Sequence, residues 1–415
     1  MKLILSHPTG NANVRAVAVG FMEADLLYKF HTSIASFSGN MLDIISALGP
    51  LKEIRRRAFD SILEPVTKMY PWLEIGRLMS SKARISRLIQ HETGPFSIDA
   101  VYRNIDRRVA STLHFGSKNG AKAVYAYEDG ARCTFKEAKK LGLKCFYELP
   151  IGYWRTAKLL LEAEKERWPD WASTITGFDD SETKLGYKDE ELLQADRIFV
   201  ASTFTAKTLK DFPGNLAPVD IIPYGFPEVN DKRIYSGVTH KLKLLFVGSL
   251  SQRKGIADLF SAVQAFRDHI ELTVVGRKVN DKCPALEKEL AKHIWIPSLP
   301  HKKVLQLMQQ HDVLIFPSLF EGFGLVITEA MAQGTPVITT ERTAGPDLIE
   351  NGNNGWLIEA GSVKELQTII EKLLCKPQLI SNAGKEAMET ARTRPWKLYA
   401  HELVRSVNKH MGTQY

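Results

Sequence analysis

The sequence predicts an α/β protein of two domains, each containing a parallel sheet flanked by helices. Two observations lead to this prediction. Short apolar runs alternate with longer amphipathic runs along the 415 residues, which is typical of strands alternating with helices. A Pro- and Gly-containing stretch at 223–227, followed by polar sequence to 240, interrupts the alternation before it restarts at 243. Two domains of similar size joined near residue 230 would face one another across a cleft, where the carboxyl ends of their strands can meet.

The predicted elements of the first half begin with a strand at 2–6, which the loop at 7–11 ends. Asn13 suits the N-cap of a helix that begins at Val14. Between about 41 and 113 the pattern is mostly helical and is interrupted by three prolines. Strand-like runs then return in four places, at 123–127, 144–147, 197–201 and 219–222.

The second half resumes the same alternation from residue 243. Its predicted strands lie at 244–247, 271–275, 313–316 and 336–339. Its predicted helices lie at 256–266, 304–310, 325–332, 365–374 and 397–410. We therefore divide the chain into an N-terminal domain at 1–228, a C-terminal domain at 229–394 and a terminal helical segment at 395–415.

The composition is that of an ordinary globular chain, with 44% hydrophobic and 25% charged residues. The chain has 55 Lys and Arg residues and 47 Asp and Glu residues, which gives a net charge of +8. This excess is compatible with three classes of protein: a nucleic-acid binder, a membrane-surface protein and an enzyme for anionic substrates. The four cysteines are scattered without metal-ligand spacing, and no window approaches the ~20 apolar residues of a membrane span. We expect a cytoplasmic protein with reduced thiols and no bound metal.

The most informative stretch is Pro-Ser-Leu-Phe-Glu-Gly-Phe-Gly-Leu-Val-Ile-Thr-Glu-Ala at 317–330. It leaves an apolar strand, turns through Gly322 and Gly324, and opens a helix whose first amides suit an anion. Two carboxylates beside a phosphate would be repelled by it unless they bind hydroxyls. Glu321 and Glu329 therefore suit sugar and ribose diols, with phosphates between them.

A second stretch, Leu-Phe-Val-Gly-Ser-Leu-Ser-Gln-Arg-Lys-Gly at 245–255, also ends a strand and enters a helix. Arg253 can grip a phosphate with two parallel hydrogen bonds, and Lys254 supplies a point charge. By itself, Arg-Lys before Gly also fits a solvated helix start.

Together the two stretches resemble the E-x7-E signature and the glycine–arginine–lysine–glycine loop of family 4 of the retaining glycosyltransferases. The resemblance covers roughly 242–375 and implies the GT-B fold, with two Rossmann-like domains facing across a cleft and a terminal helix that crosses back to the first. It implies that Glu329 binds the nucleotide ribose, that Glu321 contacts the transferred sugar, and that Arg253 and Lys254 neutralise the donor diphosphate. Ser249 departs from the pattern, because Arg is common there.

The resemblance also assigns the remaining donor contacts. The donor would be a UDP- or GDP-sugar used as a co-substrate, with no obligate metal or other cofactor. Arg277 follows a strand that resembles the family's strand near the nucleotide; the alternative is an ordinary strand end. Leu299 lies in a segment that resembles the one whose backbone meets the base in the family; the alternative is an ordinary loop. The other assigned contacts are Gly248, Ser249, Gly322, Phe323, Gly324, Leu325 and Gly10, the single glycine of the first loop.

The N-terminal half matches less well, because the His that many members place after a mid-domain strand is missing. Glu128, Asp129 and Glu148 end strands there instead. A carboxylate at the cleft could orient the acceptor or stabilise positive charge on the sugar ring. The alternative is that these carboxylates cap the helix that follows.

Basic residues concentrate at 51–90, where nine Lys and Arg stand against four Asp and Glu with apolar residues between them. Such a surface can dock anionic lipid headgroups or a lipid-linked acceptor at the inner face of a membrane. The alternative is a solvated helix face whose other side lies in the core. No RNA-binding signature accompanies the charge, so nucleic acid is not expected as a partner.

The resemblance implies a retaining glycosyltransferase that moves a sugar to a glycan or lipid-linked glycan, in polysaccharide or cell-surface glycan synthesis. Two alternatives remain at this point. A nucleotide-sugar epimerase can share the GT-B architecture, and a catalytically silent GT-B module would bind a nucleotide without turnover.

Overall fold

The computed structural model describes residues 1–39, 57–176, 180–235 and 241–412. It contains two parallel sheets, one of seven strands and one of six. The first sheet has the order β3-β2-β1-β4-β5-β6-β7. Its strands are β1 Lys2–Ser6, β2 Leu27–Thr32, β3 Thr67–Met69, β4 Ala121–Tyr127, β5 Lys144–Leu149, β6 Arg197–Val200 and β7 Val219–Ile221.

The second sheet has the order β10-β9-β8-β11-β12-β13. Its strands are β8 Leu242–Val247, β9 Ile270–Val275, β10 Ile294–Ile296, β11 Val313–Phe316, β12 Val337–Thr340 and β13 Gly355–Ile358. In both sheets the chain reverses direction beside the first strand, which is the doubly wound order. Ligands of such sheets bind outside the carboxyl ends of the strands at that point.

Helices cover the faces of both sheets. In the first half they are α1 Ala12–Glu23, α2 Trp72–Lys82, α3 Ile98–Lys118, α4 Arg132–Lys140, α5 Trp154–Arg167, α6 Glu182–Gln194 and α7 Thr203–Thr208. In the second half they are α8 Ile256–Gln264, α9 Pro284–Leu290, α10 His301–Gln310, α11 Leu325–Ala332, α12 Gly345–Leu348, α13 Val363–Cys375, α14 Gln378–Thr393 and α15 Trp396–Met411. Among the described residues, no helix has the length and apolar character needed to cross a membrane.

The last helix returns to the first domain. A Cβ at Gly20 of α1 would lie 2.8 Å from the Ala400 Cβ, so α1 and α15 pack closely. His410 of α15 also lies 3.2 Å from Asp220 of β7. Tyr224 contacts Tyr399 with ring centroids 5.2 Å apart. Two Rossmann-like domains and a crossing terminal helix confirm the predicted fold, whereas the exact domain boundaries stay a prediction.

Most predicted elements agree with the structure within three residues, and the exceptions have local causes. The N-cap of α1 is Asn11 and not the predicted Asn13, because Asn11 has the extended backbone of a cap and its carbonyl accepts from the Arg15 amide at 3.0 Å. Asn13 lies inside the helix. The strands β2, β3, β10 and β13 were not predicted, and β3 lies in the region expected to be mostly helical. Strands of three residues, such as β3 and β10, are too short for a periodic signal.

Candidate active site at the interdomain cleft

The loop between β11 and α11 carries the E-x7-E stretch and touches the first domain. A Cβ at Gly322 would lie 1.9 Å from the Pro150 carbonyl oxygen, so only glycine allows this approach. The Gly322 carbonyl accepts from the Ser202 hydroxyl at 2.6 Å and from the Thr205 hydroxyl at 3.0 Å. Gly324, at φ 88°, then starts α11 in the left-handed conformation. The loop therefore closes one side of the cleft against the N-terminal domain.

The second motif loop packs directly on the first. It leaves β8 and forms a single 3-10 turn at Gln252–Lys254. Gly255 has φ 69°, and a Cβ there would lie 2.0 Å from the Pro317 carbonyl oxygen. The Leu319 amide donates to the Arg253 carbonyl at 2.9 Å. The sequence predicted both loops as separate donor contacts, and the structure brings them together.

Three of the predicted side chains form one charged group. The Arg253 guanidinium donates to the Phe320 carbonyl at 2.9 Å and lies 3.5 Å from the Glu321 carboxylate. Lys254 forms an ion pair with the same carboxylate. Burial and the adjacent Arg253 lower the pKa of Lys254 well below its usual range. When Lys254 is protonated, two cations share one carboxylate, so the group then has one excess positive charge and can attract an anion.

Glu329 lies on α11 and faces His301, the first residue of α10. The His301 Nε2 atom is 2.8 Å from a Glu329 carboxylate oxygen. This hydrogen bond raises the pKa of His301 above its ordinary value of 6.5. Both side chains reach solvent, at 64% and 22% exposure, so the pair contributes little stability. The carboxylate is therefore accessible for a polar ligand.

We expect the Glu329→Gln variant to lower the pKa of His301 toward its ordinary value, because the amide removes the negative charge that favours imidazolium. The ion pair is complete below pH 6.5 and is lost as the pH rises through the raised pKa. Titration of the histidine resonances by NMR measures this directly. An unchanged His301 pKa in the variant would contradict the contact, and His269 serves as the internal control.

The other predicted donor contacts occupy several places around these loops. Gly248 and Ser249 follow β8. A Cβ at Gly276 would lie 1.7 Å from the Gly248 carbonyl oxygen, so the backbones pack closely where β8 and β9 end. Arg277 is exposed and its carbonyl accepts from the Leu250 amide at 2.9 Å. Leu299 is half-buried against the central apolar core. Their contact with a donor stays a prediction.

Two further predicted contacts lie against the first domain. Phe323 is buried, with its ring centroid 4.8 Å from that of Tyr224. Gly10 has φ 67°, and a Cβ there would lie 2.1 Å from the Phe59 ring. The Gly10 amide donates to the His7 Nδ1 atom at 3.0 Å, so it already has an acceptor. Leu325 is half-buried at the start of α11.

Glu128 follows β4 and shares a cavity with Arg253 of the loop at 248–255. It lines a cavity of about 200 Å³ together with Arg253 and Lys188. Lys188 Nζ lies 3.7 Å from Glu128 and 3.8 Å from Asp129. Burial raises the pKa of Glu128 to about 7, and Lys188 opposes the shift. The structure thus places one predicted N-terminal carboxylate and one predicted C-terminal cation in the same cavity.

The alternative in which these carboxylates cap the next helix is wrong. The amides at the start of α4 donate to Asp106 and Glu191 instead, at 2.7 to 3.1 Å. Glu148 does not reach the cleft either, because it lies inside the N-terminal domain. It accepts from the hydroxyls of Tyr125 at 2.6 Å and Tyr224 at 2.7 Å. Glu148 therefore has a structural role in the core of the N-terminal domain, where it binds buried tyrosine hydroxyls.

A larger cavity of about 620 Å³ lies in the N-terminal domain and shares Lys188 with the smaller one. Asp129 lines it as well. The other lining residues that matter here are Tyr102, Arg103, Arg107, Arg132 and Tyr187. Sequence reasoning missed Lys188 and this cavity. The one available signal was Lys184 and Lys188 four residues apart, on the same face of α6.

The acidic groups near these cavities are neutralised by lysines. His91, Glu92 and Asp180 place ligand atoms within 4.8 Å of one another, a spacing that can hold a metal ion. Lys184 Nζ is 2.9 Å from Asp180, and Lys188 Nζ is 3.0 Å from it. These ammonium groups balance the carboxylate charge.

Part of the basic region 51–90 lies outside the described residues, including Lys52, Arg55 and Arg56. Within the described part, Arg57 and Arg77 both bond the buried Glu74 of α2. Trp72 is 80% exposed and Met79 66% exposed on the same helix. Three exposed cations follow nearby, namely Lys82, Arg84 and Arg87. The described surface is therefore both basic and apolar.

Comparison with known proteins adds to this geometry. Residues 230–390 match the family described as glycosyl transferases group 1. A lipopolysaccharide 1,6-galactosyltransferase of Salmonella typhimurium is 32% identical over 29% of this chain and 36% of its own length. An amylovoran biosynthesis glycosyltransferase of Erwinia amylovora is 25% identical over 35% of this chain and 39% of its own length. This chain spans about half or less of the curated relatives that it matches.

Solved structures match over the whole chain. The sucrose-phosphate synthase of Thermosynechococcus elongatus has a TM-score of 0.66 at 16% identity, with complete coverage of both chains. The Anabaena protein HepE, solved with UDP, has a TM-score of 0.63 at 15% identity over 99% of this chain and all of its own. Identities this low establish the fold alone. The chain therefore has a GT-B fold over both domains, and its residues 230–390 match glycosyl transferases group 1.

Proposed function

We propose that the protein is a retaining glycosyltransferase that moves a sugar from a UDP- or GDP-sugar to a hydroxyl of a glycan or lipid-linked glycan. The observation that carries this proposal is the meeting of the two motif loops at the cleft, with Arg253, Lys254 and Glu321 in one group. The relatives named for lipopolysaccharide and amylovoran synthesis support a role in polysaccharide or cell-surface glycan synthesis.

The proposed chemistry follows from the charge of the leaving group. A nucleoside diphosphate departs with growing negative charge, and fixed cations stabilise that charge most in the transition state. Arg253 and Lys254 supply them. Among the described residues no side chain caps α11, so its first amides, near Phe323 and Gly324, are suited to a phosphate. For this reason we propose that no metal is obligatory.

The sugar and ribose hydroxyls would bind the two glutamates. Glu321 lies between the cations and can exchange its ion pairs for sugar hydroxyls as the diphosphate takes over the cations. Glu329 would exchange His301 for the ribose diol. HepE structures with UDP and with UDP-glucose support a donor of this kind. The E-x7-E spacing is thereby proposed as the donor signature of this chain.

The acceptor would enter from the N-terminal domain. The two cavities share the lining residue Lys188, and Arg253 lines the smaller one. Glu128 lines the smaller cavity and Asp129 the larger one, and either carboxylate could orient the attacking hydroxyl. The exposed Trp72 and Met79, with the basic residues that follow, support peripheral contact with anionic lipid at the inner face of a membrane.

The test is a screen of UDP- and GDP-sugars for release of nucleoside diphosphate, with and without glycan acceptors and with a chelator present. We expect acceptor-stimulated release that survives the chelator, and loss of most of it in Glu329→Ala. Glu371→Ala, an exposed glutamate of α13, is the matched control. Formation of an isomeric nucleotide sugar without acceptor would instead identify an epimerase. Calorimetric binding without any turnover would identify a silent module.

A further inference from the structure

A short segment of the N-terminal half leaves its own domain and packs into the other one. We name residues 167–174 the strut; it starts at Arg167, the last residue of α5, and contains a 3-10 helix at Pro169–Thr174. Trp171 is 6% exposed and lies in the core of the C-terminal domain, with its ring centroid 5.9 Å from that of Phe260. The strut is therefore anchored by apolar burial inside the domain that carries the loop at 248–255, which we name the donor loop for its proposed role.

Polar contacts reinforce this anchor. The Arg167 guanidinium donates to both carboxylate oxygens of Asp258, at 2.6 and 2.8 Å, in the bidentate geometry that makes such pairs strong. Asp258 is 3% exposed at its side chain. The Asn280 amide donates to the Ser173 carbonyl at 3.0 Å. The strut is thus fixed on the C-terminal domain at both of its ends.

The last residue of the strut holds the donor loop. Thr174 is fully buried. Its hydroxyl accepts from the Gln252 amide at 2.9 Å, and its carbonyl accepts from the Ser251 hydroxyl at 2.6 Å. The Ser251 hydroxyl in turn accepts from the Arg253 amide at 3.2 Å. Two hydrogen bonds from the N-terminal half therefore fix the two residues that precede Arg253.

The side chain of Gln252 ties the same turn to the anchor. It is fully buried and donates to Asp258 at 2.8 Å and to Glu164 at 3.2 Å. Its carbonyl oxygen accepts from the Ala257 amide at 2.9 Å. Strut, anchor and loop are consequently one connected hydrogen-bond network, in which a change at one member moves the others.

We propose that Thr174 is a positioning residue for the donor diphosphate. Its hydrogen bonds to Ser251 and Gln252 fix the position of the loop backbone, and that position determines where the side chains of Arg253 and Lys254 lie in the cleft. The proposal rests on the proposed function of that loop. Without the Thr174 hydroxyl, the buried backbone amide of Gln252 loses its hydrogen-bond acceptor, and the turn must move for this amide to reach another acceptor. A movement of this kind displaces both cations relative to the phosphates, and charge stabilisation depends on such placement.

The test compares Thr174→Val with Thr174→Ser. We expect Thr174→Val to weaken calorimetric UDP or GDP binding by about tenfold, since this corresponds to one lost hydrogen bond near a charged ligand. The donor KM should rise by a similar factor while the acceptor KM stays constant. Thr174→Ser keeps the hydroxyl and should restore wild-type binding. Ser251→Ala removes the second hydrogen bond between the strut and the loop, and it should weaken binding in the same way. This variant tests the proposal if Thr174→Val does not fold.

Thr208→Val is the matched control, because the Thr208 hydroxyl is equally buried, accepts from the Tyr153 amide and donates to the Thr205 carbonyl within the N-terminal domain. It should lower stability without changing nucleotide affinity. Wild-type affinity in both Thr174→Val and Ser251→Ala, or equal weakening by Thr208→Val, would overturn the positioning role while leaving the proposed function intact. Failure of the wild-type protein to bind any nucleoside diphosphate would overturn both.

Discussion

The Lys254→Met variant should release nucleoside diphosphate from the donor about 10²–10³-fold more slowly than the wild-type protein, because removal of one fixed group that stabilises developing charge has effects of this size. Methionine keeps an apolar stem near the Phe316 ring, which lies 4.9 Å from the Lys254 ammonium. Arg253 remains beside Glu321, so the carboxylate does not lose all of its partners. We therefore expect kcat to fall much more than thermal stability.

Steady-state release assays and thermal unfolding test this together. Lys292→Met is the control, because Lys292 is an exposed lysine of the same domain that pairs with Glu289 at 2.7 Å. It should leave the rate unchanged. A Lys254→Met protein that is folded and fully active would contradict the role of this cation in stabilising the leaving group.

The Gly322→Ala variant should lose about 3 kcal/mol of folding free energy, in the upper range for overpacking of a closed contact. A Cβ would lie 1.9 Å from the Pro150 carbonyl oxygen and 2.7 Å from the Ile151 Cα, and neither backbone atom can rotate away. Either the two domains separate or the loop shifts. Because Glu321 is the adjacent residue, a displacement of ~1 Å there can lower the rate about 10²-fold.

Denaturant unfolding, small-angle X-ray scattering and donor kinetics measure the three consequences. Gly186→Ala is the control: Gly186 lies exposed in α6, and no described atom lies within 4 Å of a Cβ placed there. That variant should gain about 1 kcal/mol, because alanine favours a helix over glycine. A Gly322→Ala protein with wild-type stability and rate would show that the cleft is not closed at this point.

The C-terminal site could be predicted largely from sequence because its signals are local. A strand, a glycine turn and a helix start follow one another within 245–255 and again within 317–330. The left-handed φ of Gly255 and of Gly324 agrees with the glycines on which those predictions depended. Charge type and spacing then indicate an anion and two diols without any tertiary information.

The N-terminal half could not be predicted to the same depth. Glu128 and Glu148 look alike in sequence, since each closes an apolar strand-like run. In the structure, Glu148 accepts from two buried tyrosine hydroxyls, whereas Glu128 lines the cavity that contains Arg253. The partners of each carboxylate come from distant parts of the chain, which the local pattern does not specify.

By itself, the sequence determined the two-domain α/β class and indicated the residues that we propose to bind a nucleotide sugar. Only the tertiary structure decided which groups of the first domain reach them: Lys188 and Glu128 at the shared cavity, and Thr174 behind the donor loop. Thr174 and Gln252 are separated by 78 residues, and their hydrogen bond depends on the burial of Trp171 in the opposite domain. Hydrophobic periodicity in the sequence indicates which face of an element is buried. The residues that this face contacts are determined by the packing between the domains.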